Sequence, residues 1–256
     1  MSSAQLKVAS AGRPLSAGAI ALMLLLCLSW GFNQIAIKLV IPEIPPFTQA
    51  AIRSAGALLV ILSIAWIRGV KLFARDGTLG AGLFAGVALA IGVPQADVDT
   101  QVLLGDLMVV GGGALWAATT LVAKATRLIK APAEKVLGYQ VAMSIPILAF
   151  SAWISGETIA RVPGLLAISL MAYQAIWVVG MTFMLWFSLV KVYSASKLSA
   201  FSFITPLFGV VGGYFIMHDT LTPAFAAAAV LVIAGLYLVN RPNPPVIDPL
   251  LNVTKT

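Results

Sequence analysis

Three observations predict an all-α polytopic membrane protein. The 256 residues are 60% hydrophobic and only 10% charged, with a mean hydropathy of +1.00, whereas soluble domains carry about 25% charged residues. The apolar residues form continuous runs of about 20, enough for a helix to cross the hydrocarbon core, rather than the alternating segments of about 10 typical of barrel strands. Short connections rich in proline, glycine and charge, such as "IPEIPPF", "GVKLFARDG" and "TRLIKAPAEK", separate the runs.

Eight helices are expected, over 18–40, 48–67, 78–93, 103–123, 136–154, 165–190, 199–217 and 223–240. The first follows Lys7 and Arg13 like a signal peptide, yet its apolar run continues to about Val40 without an A-x-A cleavage site, so it reads as a retained helix. The second opens after "IPEIPPF" and ends at Trp66. The third, Thr78–Val93, is the weakest, with 16 residues; it would rise about 24 Å against a core of about 30 Å. The fourth carries "GGGALWAATTLVAKA", and the fifth follows "APAEK" and ends near Trp153. The sixth is studded with Tyr173, Trp177 and Trp186, and the seventh contains Pro206. A proline inside a helix frees a carbonyl and can kink it, which makes Pro206 a hinge candidate. The eighth follows "HDTLTP", and the proline-rich tail 241–256 reads as disordered.

Charge sets the orientation. With residues 1–17 as a cytoplasmic segment, thirteen of the sixteen basic residues lie on the inner side, and the outer loops hold only Arg161. Glu43, Asp97, Asp99, Asp106, Glu157 and Asp219 lean outward. The positive-inside rule then puts both termini in the cytoplasm of a cell's inner membrane and requires 78–93 to cross. The net charge of +7 reads as this bias, with the bilayer as partner and no nucleic acid. One cysteine, Cys27, and one histidine, His218, give no disulfide, metal centre or cofactor site. No carboxylate lies deep in a helix, so no enzyme is expected.

The chain also repeats itself. Trp30 and Lys38 are eight apart, as are Trp116 and Lys124. Trp30 to Trp66 spans 36 residues, and Trp116 to Trp153 spans 37. Three crossings separate the copies, which makes them inverted repeats, an architecture that places a solute site near the midplane between halves. The first repeat, 18–93, has three helices and the second, 94–240, has five. Ala85-Gly86 matches Ala234-Gly235, so the third helix reads as the head of one ancestral helix joined to the tail of another. About 60 to 65 residues are missing between them, judged from Leu166 to Ile233.

"WGFNQIAIK" with Arg53, "GDLMVVGGGALWAATTLVAKA" and "TPLFGVVGGYFIMHDTLTPAFAAAAVLVIAGLYLV" resemble the EamA-type family of the drug/metabolite transporter superfamily. The resemblance implies a ten-helix fold of two five-helix repeats. It implies a secondary transporter that exports small organic metabolites or amino-acid-like solutes by alternating access. Two features depart from the pattern: "HDT" replaces the usual Gly-Glu pair, and the first repeat is short. The alternative reading is an internally deleted, transport-inactive relative that persists as a membrane interaction protein or remnant. A homodimer could cover its exposed wall.

Polar residues inside a membrane mark candidate sites. Trp30, Asn33 and Gln34 lie mid-helix in the first span, where the two amides could bond a solute or a neighbouring helix. Arg53 could bind a carboxylate, snorkel, or pair with Glu43. Tyr139 and Gln140 occupy the position that matches Arg53 in the second repeat. Tyr173 stands four residues and Gln174 three residues before Trp177, so each is expected to share a helical face with it, as an aromatic-amide wall for an amphipathic solute or as lipid-facing aromatics. Lys38 and Lys124 are expected to snorkel at opposite faces. Gly209 with Gly213, and Gly82 with Gly86, form G-x-x-x-G pairs for close helix contact.

Overall fold

The computed structural model describes residues 15–70, 72, 114–115, 117–221 and 223–240. Every regular element among them is helical. Beside a short 3-10 turn over Arg127–Lys130, they are α1 (Ala17–Val40), α2 (Pro46–Ile67), α3 (117–125), α4 (Ala133–Ile154), α5 (Leu165–Val192), α6 (Ala195–Ser202), α7 (Thr205–Met217) and α8 (Pro223–Asn240). Among the described residues, five helices are long and apolar enough to cross a membrane: Ala17–Val40, Pro46–Ile67, Ala133–Ile154, Leu165–Val192 and Lys197–Met217. The expected helix 78–93, the start of 103–123, the pair Gly82–Gly86 and the tail lie outside the described residues.

The surface is apolar and the interior is partly polar, the reverse of a soluble domain. Trp66 is 85% exposed and Trp153 76%, while Gln174 and Thr182 are sealed at 0%. Lipid is the medium in which such a surface is stable, and tryptophans at helix ends suit the membrane interface.

Helix ends follow from local sequence. Ser16 caps α1 by accepting from Ala19 N at 3.2 Å. α2 and α4 are built alike. Each has 22 residues and a proline at the N-cap, Pro45 or Pro132. Each ends in Trp-Ile-x-Gly, with Gly69 at φ +64° and Gly156 at φ +66°. The amides beyond them fold back in the same way, Val70 N to Ala65 O at 2.8 Å and Glu157 N to Ala152 O at 3.0 Å. Glycine is required there because the left-handed cap crowds a Cβ.

Contacts give each helix a direction. α2 and α4 run antiparallel: Ala50 packs on Leu148, Ser54 Oγ lies 3.2 Å from Ser144 Oγ, and Gly138 faces Ile61. α1 and α5 are antiparallel too, from Ser16 Oγ on Tyr193 Oη at 3.0 Å to Val40 beside Ala167. α2 runs parallel to α5, and α1 runs parallel to α7. The bundle therefore has a Ser16 end and a Glu43 end. Arg68 pairs with Glu134 at the first, and Lys38 meets Asp219 at 3.7 Å at the second. Lys124 donates to Tyr193 O at 3.4 Å at the Ser16 end, so the two matched lysines do lie at opposite ends.

Two expectations for the seventh helix change. The span is broken at Phe203-Ile204, and α7 starts anew at Thr205 with Pro206 in its first turn. Pro206 therefore begins a helix instead of kinking one. Its missing N–H costs nothing there, because the first-turn N–H groups of a helix have no intrahelical partner. The glycines of α7 also divide differently. Gly209 and Gly212 face α1, where Gly209 lies against Gly31 and Gly212 against Ile35, whereas Gly213 faces Asp219. Spacing three, not four, puts the pair on the α1 side of this crossing.

Candidate functional site

The second half of α2 and the middle of α5 approach closely because both lack bulk there. A Cβ on Gly56 would sit 2.9 Å from Ala175 Cβ, and one on Gly180 would sit 3.1 Å from Val60 Cγ1. α5 winds as a π-helix over Tyr173–Thr182, between α-helical Leu165–Ala172 and Phe183–Val192. Such i→i+5 winding is rare and concentrates at functional sites. It holds most of the aromatic and amide side chains singled out in this span.

The wider winding separates residues that α-helical spacing would align. Tyr173 and Trp177 turn to α1, where Tyr173 Oη donates to Ser29 O at 2.8 Å and Trp177 Nε1 donates to Ser29 Oγ at 3.0 Å. Phe32 packs edge-on against Tyr173 at 5.4 Å. Gln174 turns to α2 instead, and its Oε1 accepts from Gln49 Nε2 at 3.5 Å. Gln174 and Trp177 thus do not share a face. A wider helix needs more residues per turn, so a spacing of three no longer closes one.

Trp30 is core. Its Nε1 donates to Thr182 Oγ1 at 2.8 Å, and its ring packs 5.8 Å from both Phe183 and Trp186. Thr182 in turn donates to Val178 O at 2.6 Å. Asn33, one turn from Ser29, is buried with Oδ1 unpartnered, while Gln34 is exposed beside α7.

Arg53 sits one turn after Gln49 on α2. Its Nε is sealed from solvent, and no described residue accepts a hydrogen bond from it. Glu43, one of the alternatives for Arg53, is engaged elsewhere: its carboxylate accepts from Gly164 N, at the start of α5. Glu157 caps α2 in return, through Phe47 N at 3.0 Å, Thr48 N at 2.7 Å and Thr48 Oγ1 at 2.9 Å. The loop before each helix supplies the carboxylate for the other. Free helix N–H groups and the positive dipole end favour a carboxylate at these positions.

Tyr139 and Gln140 are not part of this constellation. Tyr139 donates to Leu72 O at the Ser16 end, under Lys135, whose Nζ lies 5.9 Å from the ring centroid. Gln140 is buried one turn from Ser144, with Nε2 unpartnered. They lie two turns from the Ser16 end, as Arg53 lies two turns from the Glu43 end, so matching positions fall at opposite depths. Composition gave no hint of Gln49, Ser29 or Thr182. Each is a small or neutral polar residue on the apolar face of a span, and that is the signal that could have found them.

The sequence profile of the EamA-like transporter family matches residues 17–93 and 103–241. "Uncharacterized transporter YvbV" of Bacillus subtilis (strain 168) is 25% identical over 162 residues, 61% of this chain and 50% of that protein. The chain thus spans about half the length of the curated relative it matches. A protein of known crystal structure, with no function stated, superposes with a TM-score of 0.64 at 16% identity, over 86% of this chain and 96% of the other. That likeness concerns the fold alone.

Proposed function

The chain belongs to the EamA-like transporter family, and from that premise we infer that it is a secondary transporter moving small organic metabolites or amino-acid-like solutes outward across a cell's inner membrane by alternating access. Both termini face the cytoplasm on this reading. The solute binds about midway through the bundle, between α1, α2 and the π-helical part of α5. The observation that carries this is Arg53, a guanidinium two turns into a membrane span with no partner for its Nε among the described residues. A buried charge of this kind is costly and is retained where it serves a solute or ion pathway. The family profile makes a transporter the reading and an enzyme the less supported one.

One observation favours a second reading. The first profile match, 17–93, has 77 residues and the second, 103–241, has 139, a difference of 62. This supports a first repeat shortened by two helices, and with it a relative that no longer transports. Counterflow in proteoliposomes decides between them, with this chain beside a ten-helix member of the family and a broad solute panel. Uptake by both supports the transporter. Uptake by the longer protein alone supports the shortened, inactive relative. Failure of both, with each protein folded, overturns the choice of solutes and the proposed activity together.

A further inference from the structure

We propose that α2 and the π-helical segment of α5 form a site for a small monoanion, one carboxylate on an apolar body, that discriminates against the corresponding amino acid. The proposal rests on the transport reading and narrows its solute class.

The polar groups left over at this contact are donors. Arg53 offers a planar fork of N–H groups and no acceptor. Gln174 is 0% exposed, and its Oε1 is taken by Gln49, which leaves Nε2 as a buried donor without a partner. Gln49, Arg53 and Gly56 stand at i, i+4 and i+7, one face of a helix. The two flanking positions touch α5 at Gln174 and Ala175, so Arg53 is directed at the same stretch. Two unpartnered donors, Arg53 Nε and Gln174 Nε2, in low dielectric call for an oxygen anion, and a carboxylate fits a guanidinium fork two bonds at a time.

The described carboxylates are all engaged elsewhere. Glu43 and Glu157 cap helices, Glu134 pairs with Arg68, and Asp219 pairs with Lys38. None of these described carboxylates is left for Arg53. The same arrangement disfavours an ammonium, which would lose its water beside a guanidinium with no described counter-charge. Asn33 Oδ1 on α1 is a buried acceptor without a partner, but it is neutral. Tyr173 and Trp177 have spent their polar tips on Ser29, so their rings offer apolar faces to the body of the solute.

The test uses the full chain in nanodiscs and two matched pairs, 3-phenylpropanoate with phenylalanine and propanoate with alanine. Binding is followed by tryptophan fluorescence and calorimetry. Each anion should bind at least about tenfold more tightly than its amino acid, since one charge-assisted contact is worth roughly that factor. Gln174→Leu and Arg53→Lys should each weaken the anion by about tenfold or more, with melting temperatures recorded to confirm folding. Equal or tighter binding of the amino acids overturns the proposal. So does anion binding unchanged in both variants. In either case uptake of any solute in counterflow leaves the transport reading standing. If folded protein neither binds nor moves any solute, both fall.

Discussion

Glu157 holds Thr48 by two bonds to one carboxylate oxygen, from the backbone N at 2.7 Å and from Oγ1 at 2.9 Å. With Glu43 on Gly164, the contact ties the starts of α2 and α5 to each other's entry loops. Replacing an N-terminal cap costs about 0.5–2 kcal/mol. Glu157→Ala should lower the melting temperature in detergent, and Glu157→Gln, which keeps an acceptor oxygen, should lower it less. An alanine variant as stable as the parent would show the cap to be idle.

The α1–α7 crossing should be intolerant of side chains. A Cβ on Gly31 would lie 2.6 Å from Phe208 Cβ and 2.8 Å from Thr205 O. Overpacking of this kind costs about 1–3 kcal/mol. Gly18, with nothing within 4 Å of its Cβ position, is the matched control. Gly31→Ala should reduce thermal stability and yield of monodisperse protein, and Gly18→Ala should not.

Trp30 depends on Thr182. Thr182→Val keeps the shape but leaves the indole N–H buried without its acceptor, at a cost of about 1–3 kcal/mol. Thr182→Ser should recover most of the loss. Melting temperatures of the three proteins give the comparison.

Orientation can be read directly, because Cys27 is 0% exposed and should not react. On the proposed topology, a cysteine at Arg161 should take an impermeant maleimide in intact cells. One at Lys130 should react only after the membrane is opened. Labelling of both from the same side would overturn the single crossing that α4 makes between them.

Much of the helical frame is legible in the sequence because lipid imposes it. Spans must be about 20 residues and apolar, and breakers must fall between them. Hence 18–40 and 165–190 lie within two residues of α1 and α5. The site is less legible. The π-winding of Tyr173–Thr182 leaves no mark in composition, so α-helical spacing predicts a shared face for Gln174 and Trp177 that the wider winding separates. The sequence predicts Pro206 inside a helix because Phe203-Ile204, where the helix breaks, are themselves apolar. Pairing of Arg53 with Glu43 is one of the alternatives that proximity along the chain offers, but a helix start from another part of the chain takes that carboxylate.

The twin endings of α2 and α4 bear on how such a protein knows which way up it is. Ala-Trp-Ile-x-Gly stops one helix at the Ser16 end and the other at the Glu43 end, with the same glycine geometry. The stop signal is thus blind to the face on which it falls. Within it, the single unlike residue is Arg68 in one copy and Ser155 in the other. Punctuation and address are written in separate letters, so a helix with this ending needs only a changed charge, not a new helix terminator, to settle on the opposite side.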